Sequence, residues 1–234
     1  MRYLFIALLL FLGCDDDPVS VQNNQLIRGY VYDNAGTPIE NAYIFLGYEH
    51  PYVINRPYMF ISFDMPQSGN VNIWVENECN EIVSIIVDNE LFEAGTFTET
   101  WDSLNSDGLM VLDGLYELHI SVNDVVSSQN IVLVTHPPPN SSSDGYSIRC
   151  VDENGELVCE YLALTNSNGY FEFSHDCIAL EYEWQGTDEF GNLTGNCELG
   201  RIRLFADDGQ EYGISNFFEV NPYNGAETNI IIGD

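Results

Sequence analysis

The sequence contains no lysine, and its six arginines are the only side chains that carry a full positive charge at pH 7 when histidine is counted as neutral. It has 37 aspartates and glutamates, which give a formal net charge of −31 at pH 7. Nucleic-acid binding needs clustered basic side chains that replace the counterions of the phosphates. The composition therefore excludes a nucleic-acid partner. It also argues against adsorption to an anionic lipid surface through charge alone.

Long hydrophobic runs are missing as well. The apolar run from Tyr3 to Leu12 is too short to cross a bilayer as a helix, which needs about 20 apolar residues. It follows Arg2 and precedes Gly13, and a basic start, a short apolar segment and a small residue are typical of a secretory signal. We therefore expect residues 1–13 to be a signal peptide.

Cys14 directly follows Gly13. This pair resembles the lipobox of bacterial lipoproteins, in which the cysteine is diacylated and becomes the mature N-terminus. The resemblance implies lipid attachment at Cys14, contact with a membrane through that lipid, and a flexible acidic tether over residues 14–25. It places the protein in the envelope of a Gram-negative bacterium, at the outer membrane or cell surface. The alternative is an ordinary cleaved signal followed by a chance cysteine.

Catalytic motifs are also lacking. The chain has no Gly-x-Ser-x-Gly, no His-Glu-x-x-His and no glycine-rich phosphate loop. His175-Asp176-Cys177 combines a base with a thiol, but neighbouring residues of a strand point to opposite faces, so a disulfide cysteine in a loop is the better interpretation. We expect a protein that is not an enzyme.

No stretch shows a convincing amphipathic helix. Tyrosine and phenylalanine occur with valine, isoleucine and threonine in short runs that are separated by glycine, asparagine, aspartate and proline. This pattern is typical of an all-β protein. The 234 residues allow one or two domains, and the 45% of hydrophobic residues suffice for a core.

Five cysteines follow Cys14, namely Cys79, Cys150, Cys159, Cys177 and Cys197. An exported protein can oxidise them, and their odd number leaves at least one unpaired. Asn154-Gly155 predicts a two-residue hairpin turn that pairs Val151 with Val158 and puts Cys150 opposite Cys159, where a disulfide is feasible. Cys177 with Cys197 is the next pair that we expect, which leaves Cys79 free. The sequence alone does not fix the connectivity.

The middle of the chain, residues 58–135, has the size of a domain. It precedes a proline- and serine-rich linker at residues 136–144, and it contains alternating strands, an apolar run at 82–87 that we expect to be buried, and Trp101-Asp102. An ordered set of positions resembles the FlgD-type immunoglobulin-like domain, a non-catalytic β-sandwich: Ile61, Phe63, Pro66, Gly69, Val71, Ala94, Gly95, Trp101, Asp102, Asp107, Gly108, Gly114 and Tyr116. We expect Trp101 to be a core residue.

The flanks of this block resemble a second family. The segment 29–46 carries a strand, a turn at Gly36 and Pro38, and a second strand, and residues 165–173 read Thr-Asn-Ser-Asn-Gly-Tyr-Phe-Glu-Phe. Both resemble parts of the carboxypeptidase regulatory-like domain, a small transthyretin-type β-sandwich. Because 118 residues separate the two parts, we expect a discontinuous domain over residues 26–57 and 145–234, with the FlgD-type block inserted. In the alternative, a new sandwich begins near Tyr146.

The loop after Trp101 holds several oxygen ligands. Asp102, Asn105 and Asp107 lie within six residues, and carboxylate and amide oxygens are ligands that Ca²⁺ prefers. The loop lacks EF-hand spacing and a bidentate glutamate, so a solvated turn is the better interpretation. We expect no obligatory cofactor, with Ca²⁺ as the one candidate.

These features together favour a structural scaffold or binding module that contacts another envelope protein. Glycan binding through exposed aromatic side chains is an alternative, for which Tyr48, Tyr52 and Tyr58 are candidates near the domain junction. An accessory module of an envelope metallopeptidase is a further alternative, because the regulatory-like family takes its name from such a context.

The acidic surface predicts salt dependence. Salt screens the mutual repulsion of the carboxylates, which otherwise destabilises a compact chain. We expect the melting temperature to rise from low salt to molar NaCl. A flat or falling melting temperature would contradict this adaptation to a saline medium.

Overall fold

The computed structural model describes residues 26–48, 59–133, 150–180, 182–187, 193–199 and 201–233. All regular secondary structure in these ranges is β-strand, which confirms the all-β prediction. The signal peptide, the tether, the linker at 136–144, Cys14, Tyr52 and Tyr58 lie outside them. No helix in the described ranges is long and apolar enough to cross a membrane.

The described strands are β1 (Leu26–Asp33), β2 (Tyr43–Tyr48), β3 (Met59–Met65), β4 (Gly69–Asn77), β5 (Ile82–Phe92), β6 (Gly95–Trp101), β7 (Gly114–Val122), β8 (Val125–Leu133), β9 (Ala163–Leu164), β10 (Tyr170–Ser174), β11 (Tyr182–Thr187), β12 (Leu193–Leu199), β13 (Arg201–Asp207), β14 (Tyr212–Ile214), β15 (Phe218–Glu219), β16 (Ala226–Glu227) and β17 (Ile230–Ile232). Strands β11 and β12 form a separate hairpin.

Strands from before and after the middle block form one sheet, which we call the host unit. Its order is β10-β1-β17-β14-β13-β2-β9, with β15 beside β13 and β16 beside β1. The end strands β9 and β10 lie in contact, so the sheet curls around a single core. That core collects side chains that alternate along the strands, among them Ile27, Val31, Ile44, Leu46, Phe171, Ile202, Leu204 and Ile230.

The host unit joins segments that are distant in sequence. Strand β2 pairs antiparallel with β13 from Tyr43 opposite Asp207 to Tyr48 opposite Ile202, and β1 pairs antiparallel with β10. This is the pairing that an inserted middle block predicts. The alternative, in which a new sandwich begins near Tyr146, does not predict these partners for β1 and β2.

The middle block, which we call the insert, comprises residues 59–133. Its strands form a two-stranded sheet, β3-β6, and a four-stranded sheet, β5-β4-β7-β8. The two sheets enclose a core that includes Ile61, Val71, Ile73, Val75 and Tyr116. Trp101 is 2% exposed, as expected of a core residue, and its indole N–H donates to the carbonyl of Leu104.

The apolar run at residues 82–87 is not fully buried, which corrects the expectation from its composition. Ile82 and Ile85 are both 55% exposed, whereas Val87 is buried. The reason is that β5 is an edge strand, which pairs only with β4 among the described strands. Its register against β4 also shifts between Ile73 and Trp74 and between Val75 and Glu76, so the run does not alternate regularly and Ile85 does not share the buried face of Val87.

Five tight turns repeat one pattern, at residues 33–37, 77–81, 105–109, 152–156 and 166–170. In each, the first residue is Asp or Asn, and its side-chain oxygen accepts hydrogen bonds from two backbone N–H groups of the turn. The fourth residue has positive φ and is glycine, or Asn80 in one turn. Asp and Asn favour such turns because they bond the local backbone.

Two glycines in these turns provide a matched test. Gly36 and Gly169 have φ values of 82° and 72°, but a Cβ on Gly36 meets no atom within 4 Å, whereas a Cβ on Gly169 lies 2.4 Å from the carbonyl oxygen of Val31. We expect Gly36→Ala to cost about 1 kcal/mol through backbone strain alone. Gly169→Ala adds this clash and costs about 2–4 kcal/mol. Urea unfolding measures both, and equal losses would contradict the close approach.

Candidate functional site at the seam

The insert and the host unit meet along a seam, which we define by residues 105–113 of the insert and residues 157–160 and 177–178 of the host unit. Its centre is a pair of backbone hydrogen bonds. The N–H of Met110 donates to the carbonyl of Val158 at 3.0 Å, and the N–H of Glu160 donates to the carbonyl of Met110 at 2.8 Å. The two units are thus joined by strand-like pairing as well as by side chains.

The structure bonds Cys150 to Cys159, the pair predicted from the hairpin. Both cysteines are buried in a small cluster with Phe45 and Phe205, whose rings stack with centroids 5.1 Å apart. Met110 of the insert packs against this cluster. The disulfide is therefore part of the host-unit cluster against which Met110 of the insert packs.

The register of that hairpin differs by one residue from the prediction. Val151 pairs with Leu157, and not with Val158. The turn has three loop residues because the N–H of Asp152 donates to the carbonyl of Glu156, with Gly155 in the left-handed conformation. Asp152 prefers this turn because its carboxylate accepts the N–H groups of Asn154 and Glu156. These bonds, above all the one from Glu156, lower the pKa of Asp152.

A second disulfide joins Cys79 of the insert to Cys177 of the host unit. The expected pairing of Cys177 with Cys197 is therefore wrong, and so is the expectation that Cys79 is free. Cys79 lies in the turn between β4 and β5, and Cys177 follows β10, so the bond crosses from one unit to the other. The side chain of Cys197 lies outside the described residues. Because Cys79 and Cys177 belong to different units, no short-range spacing in the sequence indicates that they form a disulfide.

Glu160 connects the units through its side chain, a role that no motif in the sequence indicates. One carboxylate oxygen accepts from the side-chain amide of Asn105 at 2.8 Å, and the other accepts from the backbone N–H of Leu112 at 3.4 Å. Both donors belong to the insert. A charged acceptor strengthens such hydrogen bonds, so Glu160 fixes the insert loop against the host unit.

The three candidate calcium ligands do not form a built metal site. Asn105 directs its side-chain oxygen to the N–H groups of Asp107 and Leu109, and Asp102 accepts from the N–H of Leu104. These bonds are those of a solvated turn. Among the described residues, no group of three or more His, Cys, Asp or Glu side chains could hold a metal ion.

A cavity of about 430 Å³ opens beside the seam, and we call it the seam cavity. Both units line it. Its acidic wall carries Glu81, Asp107 and Asp113 from the insert and Glu160 from the host unit, and its apolar wall includes Leu46, Leu115, Leu162 and Ile178. Asp113 is 4% exposed, so this carboxylate is held inside the protein.

Tyr48 lies at the same cavity. It is 1% exposed, which corrects the expectation that it offers an exposed aromatic surface for a glycan. Its hydroxyl approaches the backbone of Ala179 but has no hydrogen-bond partner of normal geometry among the described residues. Burial raises the pKa of the Tyr48 phenol, and the negative charges of Asp113 and Glu78 raise it further, so the phenol stays protonated.

Comparison with known proteins gives no match. No family model matches the chain, and neither the curated proteins nor the solved structures contain a significant relative.

The inter-unit disulfide gives a stability prediction. We expect the double variant Cys79→Ser/Cys177→Ser to lose about 2–4 kcal/mol in urea unfolding, because the disulfide closes a long loop in the unfolded chain. Cys197→Ser is the matched control, since neither of the two described disulfides includes this residue. Equal unfolding midpoints for the two variants, or a non-reduced peptide that joins Cys177 to Cys197, would contradict the pairing.

Proposed function

We propose that the protein is a non-catalytic lipoprotein of the cell envelope, anchored through Cys14, that acts at the cell surface as a rigid scaffold or binding module for another envelope protein. The observation that carries this proposal is the disulfide between Cys79 and Cys177. It fixes the insert to the host unit, and disulfides of this kind persist in oxidising compartments outside the cytoplasm. An exported protein whose two units are fixed to each other can offer a surface of constant shape to a binding partner.

The N-terminal sequence supports the anchoring part of the proposal. Residues 1–13 have the order of a secretory signal, and Gly13-Cys14 resembles a lipobox. A single lipid chain holds a protein only weakly at a membrane, whereas several chains on one cysteine hold it stably. The acidic residues that follow favour a tether that keeps the folded units away from the membrane surface.

The two units support the scaffold part. The ordered positions from Ile61 to Tyr116 resemble a FlgD-type domain, which is a non-catalytic module, and the flanks resemble a carboxypeptidase regulatory-like domain. The seam joins them through backbone hydrogen bonds at Met110, the carboxylate of Glu160 and the inter-unit disulfide. Such linkage removes the relative motion that is the default between domains of one chain.

Anchoring is tested with the full chain in a Gram-negative host. Cells are labelled with an alkyne-bearing fatty acid, and we expect label on the wild-type protein and on Cys197→Ala but none on Cys14→Ala. Protease added to intact cells should degrade the wild-type protein if it faces outward. Label that persists on Cys14→Ala would overturn the anchor.

The scaffold role is tested by chemical cross-linking of intact cells. We expect the wild-type protein to form one defined cross-linked species, and Cys79→Ser/Cys177→Ser to form less of it at equal abundance, because the fixed arrangement of the units is lost. Cys197→Ser should cross-link like the wild type. Cross-linking that is absent, or equal in all three proteins, would contradict a role for the rigid two-unit body.

A further inference from the structure

Strand β8 is an edge of the insert that lacks the features which normally keep an edge strand from pairing with another chain. Among the described strands it pairs only with β7. An open edge presents a row of backbone N–H and C=O groups, and natural proteins protect it with charged side chains, proline or bulges. The residues of β8, Val125–Leu133, include no charged side chain and no proline, and their register against β7 does not shift.

The other edge strands differ from β8 in this respect. Each one of five or more residues in the described part of the chain contains a carboxylate: Asp64 in β3, Asp88 and Glu90 in β5, Glu99 in β6, Glu172 in β10, Glu183 in β11 and Glu198 in β12. Strand β5, at the opposite edge of the same sheet, also has an irregular register against its neighbour. The lack of charge is thus specific to β8, in a chain with a net charge of −31.

The first half of β8 is open to solvent. Every side chain from Val125 to Gln129 is exposed, and the exposed fractions of Val125 and Val126 are 74% and 54%. Because neighbouring side chains of a strand point to opposite faces, this exposure includes both faces of the sheet. Neither face of this half of the strand therefore lies in a core, and its edge can accept a further strand.

The hairpin determines which backbone groups of β8 point to the open edge. Its two-residue turn, Asn123-Asp124, has φ values of 48° and 66°, as in a type I′ turn. The closing pair of such a turn, Val122 and Val125, exchanges both backbone hydrogen bonds, and the direction of these groups then alternates along the strand. The N–H and C=O groups of Val126 and Ser128 therefore point away from β7.

The same strand of a second copy fits these outward groups. In an antiparallel pair with a two-fold axis at Ser127, Val126 of each copy lies opposite Ser128 of the other, and both residues exchange their hydrogen bonds. This arrangement also separates the two Asp124 side chains by about 20 Å along the strands, which exceeds the Debye length of about 8 Å at physiological salt. A parallel pair would bring them together.

The lack of charge favours a second copy over a basic partner. A basic protein gains affinity where it meets carboxylates, and β8 offers none. Two chains that each carry a charge of −31 repel each other least where neither presents a charge at the contact. A pair of short strands buries little area, so we expect a weak dimer whose population depends on concentration.

We propose that the protein self-associates through Val125–Gln129, with the two β8 strands antiparallel across a two-fold axis at Ser127, so that the four-stranded sheets of two inserts become one continuous sheet. This interaction goes beyond the scaffold role, because the partner is a second copy of the chain and not another envelope protein.

Cysteine cross-linking of the full chain in intact cells tests the pairing. Ser127→Cys places identical positions opposite each other with Cα atoms about 4.5 Å apart, where a disulfide fits. Ser128→Cys is the matched control, since its two copies lie about 8 Å apart, beyond the reach of a disulfide. Both are made in a Cys197→Ser background, because neither described disulfide includes Cys197, and the cells are oxidised with copper phenanthroline.

We expect a disulfide-linked dimer on non-reducing gels from Ser127→Cys and none from Ser128→Cys. A dimer from both variants, from neither, or from Ser128→Cys alone would overturn the proposed pairing. A disulfide between Ser127→Cys and a different protein, identified by mass spectrometry, would replace the second copy with that protein as the partner.

Sedimentation equilibrium of the full chain in density-matched detergent measures the dimer directly. Ser127→Glu puts two carboxylates opposite each other, so we expect dimerisation to weaken by about fivefold or more. Thr100→Glu adds the same charge at an exposed position of β6 and should leave it unchanged. Equal weakening in both variants, or a wild-type chain that stays monomeric at every concentration, would refute self-association through β8.

Salt gives an independent measurement on the same samples. Added NaCl screens the repulsion between two acidic chains without affecting an uncharged contact, so we expect dimerisation of the wild-type chain to strengthen from low salt to molar NaCl. Weaker dimerisation at high salt would show that opposite charges make the contact, which β8 cannot supply.

Discussion

The pairing of strand β2 with strand β13 holds together residues that lie about 160 positions apart, and the remaining architecture depends on it. This pairing and that of β1 with β10 close the host sheet across the insert. Buried side chains alternate along both strands, and this pattern fixes the register of the pairing. A shift of one residue would turn Ile44 and Leu204 out of the core.

The seam adds a second constraint to that arrangement. Backbone hydrogen bonds at Met110, the carboxylate of Glu160 and the disulfide between Cys79 and Cys177 act at separate places on the same interface. Together they fix the seam cavity, whose walls come from both units.

Much of the fold could be predicted from local patterns. Alternation predicted strands in the insert, and Asn154-Gly155 predicted a hairpin beside Cys150 and Cys159. The register of that hairpin was wrong by one residue because the Asp152 side chain selects a three-residue loop. The partner of Cys177 was wrong for a different reason, since its choice depends on how the two units dock.

The sequence by itself determined the all-β class, the acidic composition and the existence of a turn at Asn154-Gly155. These follow from a two-residue period, from turn chemistry and from composition, all of which act over a few residues. Only the tertiary structure decided that Cys79 bonds Cys177, that Tyr48 is buried, and that carboxylates from both units face one cavity. Those features arise from contacts between distant segments, and no local pattern records which distant surfaces meet.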